Sequence, residues 1–179
     1  MSGMEIFTSC PSLWTYFVCK DPNKARVYLE RFKSSPIHVF LREPKGLPSK
    51  DPFFELVSDA IGRLGSLAID VLPEDFRYIT DHLFRSAPQL GSLEVFINPQ
   101  FWALSRTPPL VFGGDLSSLR DLHLRSIRTE LPWRNMVNLI SFQLSHSLGQ
   151  TLGKISPTHL LDFLEGAPHL LEVASTPQP

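Results

Sequence analysis

The sequence predicts an α/β fold made of repeated strand-and-return units, with a parallel sheet on one face and helices or loops on the other. Three observations predict it. The stretch "LSSLRDLHL", residues 116 to 124, spaces its leucines by three, three and two, and that rhythm recurs along the chain. Segments of helical periodicity separate several of the recurrences, and prolines fall mostly at the junctions, as in Ser35-Pro36, Ala87-Pro88, Ser156-Pro157 and Ala167-Pro168.

Aligning on Leu119, Leu122 and Leu124 recovers Leu64, Leu67 and Ile69, then Leu90, Leu93 and Val95, then Leu139, Phe142 and Leu144. Weaker copies sit at both ends, with Ile37 and Val39 before them and Leu170 and Val173 after them. Taking Ile37, Leu67, Leu93, Leu122, Phe142 and Val173 as middle anchors gives steps of 30, 26, 29, 20 and 31 residues. Most of these lie within or near the period of leucine-rich repeats, so the expected fold is an irregular leucine-rich-repeat solenoid of six units. The spacing has a physical cause. An apolar pair two residues apart points to one face of a strand, and one unit cannot bury that ridge alone, so neighbours stack and share a core.

The return segments read as helices in four places. "DPNKARVYLERFKSS" starts at Asp21-Pro22 and carries Val27, Leu29 and Phe32, while "KDPFFELVSDAIGRL" begins with Asp51-Pro52. "PEDFRYITDHLFRSAP" carries Phe76, Ile79, Leu83 and Phe84, and "SPTHLLDFLEGAP" opens at Ser156-Pro157 and closes at Gly166. A capping side chain, a proline in the first turn and a glycine past the end are the marks of helix boundaries. Asp21, Asp51, Glu74 and Asp75 fall at these helix starts, where carboxylates offset the local dipole. Residues 100–115 and 128–135 show no helical period and read as irregular loops or single turns. An asparagine that stitches successive units just after the strand is expected only at Asn98, since Leu72, Ile127 and Ser147 hold the equivalent places. Residues 1–9 are expected to be disordered, 10–175 to form the leucine-rich-repeat-like domain and 176–179 to be a tail. Open terminal units predict low solubility or self-association of the isolated chain, because repeat arrays normally need polar caps.

The totals bound the function. With 179 residues and 42% hydrophobic side chains, the chain has apolar material for one domain. Seventeen Lys plus Arg against eighteen Asp plus Glu leave a formal charge of −1, which gives no broad attraction to phosphate backbones or anionic lipid. No nucleic acid and no membrane partner is therefore expected. The cysteines Cys10 and Cys19 form neither a metal cluster nor a disulfide framework, which points to a reducing, intracellular setting in cytoplasm or nucleus. The N-terminus has no basic leader, and no stretch approaches the roughly eighteen apolar residues that cross a bilayer.

The segments "PSLWT" (11–15), "YLERFKSSPIHVFL", "IGRLGSLAIDVLPEDF", "GDLSSLRDLHL", "LPWRNMVNLISFQL" and "LLDFLEGAPHLLEV" follow one another in an order that resembles the F-box and leucine-rich-repeat-like protein family of mushroom-forming fungi. The resemblance covers nearly the whole chain from Cys10 onward. It implies a repeat region that recognises a protein substrate for a cullin-type ubiquitin ligase, whose adaptor is docked by an F-box upstream of "PSLWT". "MSGMEIFTS" does not match the F-box helices, so the sequence reads as the middle of a longer architecture or a truncated gene model, and an adaptor partner is expected only if an F-box lies upstream.

The residues between and beyond the inward pair define the expected partner-binding face. One column reads His38, Ala68, Glu94, His123, Gln143 and Ala174, and the next reads Phe40, Asp70, Phe96, Arg125 and Ser145. His38, Phe40, Asp70, Glu94, Phe96, His123, Arg125 and Gln143 are the candidate contacts with a protein substrate. Exposed aromatics beside an arginine have the composition of interface anchors. Catalysis, a metal and a cofactor are not expected. The units anchored by Leu67 and Leu93 separate His38 from His123, and His159 and His169 lack ligand companions at metal spacing. "LGQTLGKIS", with Gly149, Gly153 and Lys154, misses the phosphate-loop pattern at Leu148 and Ile155. Trp14, Trp102 and Trp133 adjoin apolar or Pro-rich segments and read as core or junction residues.

Overall fold

The structure is a computed structural model and describes residues 16–18, 22–31, 35–43, 52–97, 112, 115–125, 136–147 and 157–178. Among these residues seven strands form one sheet: β1 Tyr16–Val18, β2 Ile37–Glu43, β3 Leu64–Val71, β4 Ser92–Ile97, β5 Asp121–Arg125, β6 Ser141–Ser147 and β7 Glu172–Gln178. They lie in sequence order and every neighbouring pair is parallel. Each strand therefore pairs with those before and after it in the chain, and the segments between strands must return the full strand length.

Helices α1 Pro22–Arg31, α2 Pro52–Asp59, α3 Pro73–His82 and α4 Pro157–Glu165 lie in the returns before β2, β3, β4 and β7, and a 3-10 turn, Ile61–Arg63, leads into β3. All four helices begin on proline, whose fixed φ and missing N–H suit the first turn. The four helices expected from the sequence are all present. Asp21, Asp51 and Ser156, read as their caps, lie outside the described residues.

Alternation along the strands separates the two faces. Val39, Leu67, Leu93, Leu122 and Phe142 stand opposite one another from β2 to β6, and each is buried. Leu41, Ile69, Val95 and Leu124 form a second buried row two residues on. Against these rows pack Phe53, Phe54 and Val57 of α2, Ile79 of α3 with Leu83 just after it, and Phe163 of α4. Phe54 meets Phe53 and Tyr78 edge-on at 5.9 and 5.6 Å, and Phe163 meets Phe142 at 4.7 Å. Burying one such ring is worth about 1.5–3 kcal/mol, so the helices are held by this shared core more than by their own short hydrogen-bond ladders.

A turn precedes each of the last four strands. Leu90 N–H donates to Ala87 O, Leu119 to Leu116, Leu139 to Met136 and Leu170 to Ala167. The first three-residue step in "LSSLRDLHL" is therefore a β-turn with buried side chains at both ends, Leu116 and Leu119, and the second step carries the chain into the strand. The units are stitched by a relay of carbonyls. Gly91 O accepts from Arg120 and Asp121 N–H, Arg120 O from Ile140 and Ser141, and Ile140 O from Leu171 and Glu172. Side chains add to this at the same turns: Asn138 Nδ2 donates to Ser117 O at 2.6 Å and Ser118 Oγ to Pro88 O at 2.6 Å. Inter-unit stitching thus lies before the strands, whereas Asn98, expected to stitch after one, lies outside the described residues.

Three expectations are corrected. A seventh strand, β1, precedes the six expected units and pairs with β2. The middle anchor of β2 is Val39, not Ile37: Ile37 stands opposite Leu64, the register then shifts, and Val39 stands opposite Leu67. The skipped residue is Gly65, where a Cβ would lie 3.1 Å from Pro36 Cβ, so the absence of a side chain lets the two units approach. Finally, β7 runs to Gln178, past the boundary expected at 175. Most of the two expected loops lies outside the described residues, but Phe112 is described. It is buried with φ at 55°, in the left-handed region that a bulky residue rarely adopts, and its N–H donates to Leu83 O at 2.7 Å. Packing and that hydrogen bond offset the backbone strain. The 1–9 segment, Cys10, Cys19 and the three tryptophans lie outside the described residues, as do Gly149, Gly153 and Lys154.

Candidate functional site

The residues that alternate with the buried rows make the other face of the sheet. The register orders them into three rows across β2 to β7. The leading row reads His38, Ser66, Ser92, Asp121, Ser141 and Glu172, and the middle row Phe40, Ala68, Glu94, His123, Gln143 and Ala174. The trailing row reads Arg42, Asp70, Phe96, Arg125, Ser145 and Thr176. Of the expected contacts, Glu94, His123 and Gln143 share one row, and Asp70, Phe96 and Arg125 share the next, as the sequence spacing requires. His38 and Phe40 each stand one row earlier than expected, because Val39 and not Ile37 is the residue of β2 that stands opposite Leu67. Two strands separate His38 from His123.

One cluster on this face is organised by side-chain contacts. His123 is flanked by Glu94, with Nδ1 3.5 Å from Oε1, and by Ser145, with Nε2 3.0 Å from Oγ. Arg125 Nη1 also lies 3.5 Å from Glu94 Oε1, and its guanidinium sits over the Phe96 ring at 4.9 Å from the centroid. Strand geometry produces the arrangement. Glu94 and His123 are direct cross-strand partners, Phe96 and Arg125 are partners two residues on, and Ser145 is opposite Arg125. A second imidazole–hydroxyl pair, His38 Nδ1 to Ser66 Oγ at 2.7 Å, links β2 to β3.

Partial burial pushes the His123 imidazole below its ordinary pKa of 6.5; the Glu94 carboxylate opposes that shift and the Arg125 charge reinforces it. His123 is accordingly neutral at pH 7. In the tautomer with Nδ1–H turned toward Glu94, Nε2 accepts the Ser145 hydroxyl proton, which is the order nucleophile, base, orienting carboxylate seen in acyl-transfer sites. Ser145 is only 1% exposed, however, so its oxygen has no open approach for a substrate. The cluster holds Arg125, Phe96 and His123 in fixed positions at a half-buried surface, which suits recognition. Ser145 stood on the expected face but not among the expected contacts, and Ser66 was in neither. The register of Ser145 was readable in the spacing, that of Ser66 against His38 was not, and neither bond to a histidine on a neighbouring strand is.

The helix side carries a different feature, an open groove of about 370 Å³ lined by Arg26, Leu29, Glu30, Leu56, Asp59, Ala60 and Arg63. Arg63 donates from Nε and Nη2 to Ser35 O at 3.2 Å and from Nη1 to Leu29 O at 3.3 Å, and so ties the 3-10 turn to the preceding unit. Among the described residues no group of three or more His, Cys, Asp or Glu side chains is placed to hold a metal ion. No helix among them is long and apolar enough to cross a membrane. No family model, curated protein or solved structure matches the chain.

Proposed function

We propose that the chain is a protein-interaction module, an irregular leucine-rich-repeat solenoid whose strand face binds a protein partner. The observation that carries this reading is the contiguous cluster of Glu94, Phe96, His123 and Arg125 at the centre of a parallel sheet. An aromatic ring and a guanidinium, fixed by neighbours and half-buried, have the chemistry of an interface anchor. The stacked units beneath them keep the ordering cost of binding low.

Within that reading, the partner is a substrate destined for ubiquitin transfer. Its support is the ordered resemblance of "PSLWT" and the following segments to F-box and leucine-rich-repeat-like proteins, so the adaptor enters only through an F-box upstream. A ubiquitin-independent scaffold would use the same face. The two differ in consequence: removing the chain from its cell raises the abundance of a substrate and leaves that of a scaffold partner unchanged.

The face itself is tested by photocrosslinking. A photoreactive residue at Ala68 or Gln143 should capture one protein from a native extract, and the same residue at Glu55 on α2 should not. Excess wild-type protein should compete for that capture, and the Phe96→Ala/Arg125→Glu variant should not. Equal capture at Glu55, or equal competition by the variant, would refute the assignment.

One observation favours a hydrolase instead, the Ser145–His123–Glu94 order. The burial of Ser145 makes binding the stronger reading. Turnover of an activated ester that disappears in Ser145→Ala would reverse that ranking.

A further inference from the structure

One carboxylate oxygen on the strand face is shared by two nitrogen groups. Glu94 Oε1 lies 3.5 Å from His123 Nδ1 and 3.5 Å from Arg125 Nη1, while the same guanidinium rests 4.9 Å from the centre of the Phe96 ring. The two nitrogen groups differ in charge. A guanidinium stays cationic throughout the accessible pH range, whereas an imidazole is charged only when protonated. While His123 is neutral, Arg125 alone of the two offers Glu94 a full positive charge.

The hydroxyl on the other side of the ring adds a second condition. Ser145 Oγ lies 3.0 Å from His123 Nε2, and Ser145 is 1% exposed. In the neutral tautomer with Nδ1–H turned toward Glu94, Nε2 accepts from the Ser145 hydroxyl. In the imidazolium both ring nitrogens donate, so that hydroxyl must turn its proton away and accept. A single proton on His123 therefore changes its contacts to β4 and β6 together.

Among the described residues, the charges that face His123 come from two strands: Glu94 from β4, and Asp121 and Arg125 from β5 itself, two residues to either side. From β6, Gln143 stands opposite and Ser145 lies diagonally, and neither carries a charge. Arg125 disfavours the imidazolium and Glu94 favours it. Coupling between two groups is reciprocal, so the imidazolium disfavours the guanidinium in its present place by the same amount.

We infer that His123 is a pH-sensitive switch of the Phe96–Arg125 anchor: on taking up a proton it claims Glu94 and displaces the guanidinium from the place it holds between that carboxylate and the ring. The anchor is complete at neutral pH and comes apart as the pH falls below 6.5 through the folded value of the imidazole. Its use as a control on binding rests on the partner face proposed above. The rearrangement itself does not, since every group in it belongs to this chain.

Side-chain NMR of the full chain, with no partner present, tests the switch from about pH 7.5 to about pH 5, which spans the ordinary histidine range. At the upper end the Arg125 Hδ signals should stand upfield, shifted by the Phe96 ring. On acidification this displacement should be lost with the same midpoint as the His123 imidazole signals. In His123→Gln, or in His123→Ala as a second uncharged variant, it should persist to the lower end, and in Phe96→Leu it should be absent at every pH. A displacement that stays constant while His123 titrates overturns the inference, as does one that is lost equally in the uncharged variants or survives in Phe96→Leu. Failure to capture a partner at any pH would count against the binding face alone.

Discussion

The two faces of strands β4, β5 and β6 are made from the same short stretches of chain, yet they differ in burial and in side-chain chemistry. Leu93, Val95, Leu122, Leu124 and Phe142 are buried against the helices and one another. Glu94, Phe96, His123, Arg125 and Gln143 alternate with them and are half-buried on the opposite side. A strand rises about 3.3 Å per residue and turns each successive side chain to the other face. One residue step therefore separates a buried position that holds the sheet together from a half-buried one on the opposite face. Substitutions should affect stability or recognition according to parity.

Several substitutions would break or sharpen that comparison. Leu122→Asp should have the largest effect, because it places a carboxylate in the middle of the buried row, and the cooperative melting transition should be lost. Leu122→Ala should leave the fold intact but cost about 2–5 kcal/mol in denaturant unfolding, through lost transfer energy and a residual cavity. One residue on, His123→Ala should cost under about 1 kcal/mol at pH 7, where its partial exposure and neutral state leave little to lose. Equal losses at Leu122 and His123 would contradict the assigned register.

The pH dependence is smaller still, and its sign is fixed. Partial burial, opposed by Glu94 and reinforced by Arg125, holds His123 below its ordinary 6.5, so the unfolded chain binds more protons on passing downward through that range. This contribution to stability is complete above about pH 7 and is lost as the pH falls through 6.5 toward the folded value. His123→Gln should flatten that part of the stability curve. Glu94→Gln removes the charge that raises the imidazole pKa, so an NMR titration should place His123 lower than in the wild type. A rise in that variant would contradict the geometry of the pair.

Much of the fold was legible because it depends on local spacing. The three-three-two rhythm marks a turn and a strand, and a proline after an acidic or serine residue marks three of the four helix starts, the third helix following Leu72 instead. Two features were less accessible. β1 is three residues long, too short for any period to show. β2 contains Ile37, Val39 and Leu41 in strict alternation, so the sequence alone fits more than one anchor, and only the pairing with β3 selects Val39. In the candidate site, the row containing Glu94, His123 and Gln143 followed from the same arithmetic. The bonds from His123 to Ser145 and from His38 to Ser66 arise only when strands 22 and 28 residues apart are brought side by side. Local pattern holds no signal for them.

The most direct measurement is an alanine scan of residues 93–96, 122–125 and 142–145, with each variant assayed for melting temperature and for capture of the crosslinked partner. Stability losses should fall at Leu93, Val95, Leu122, Leu124 and Phe142, and binding losses in antiphase at Glu94, Phe96, His123, Arg125 and Gln143. Losses of both kinds at the same positions, or binding losses concentrated at the buried ones, would contradict the division of labour between the two faces.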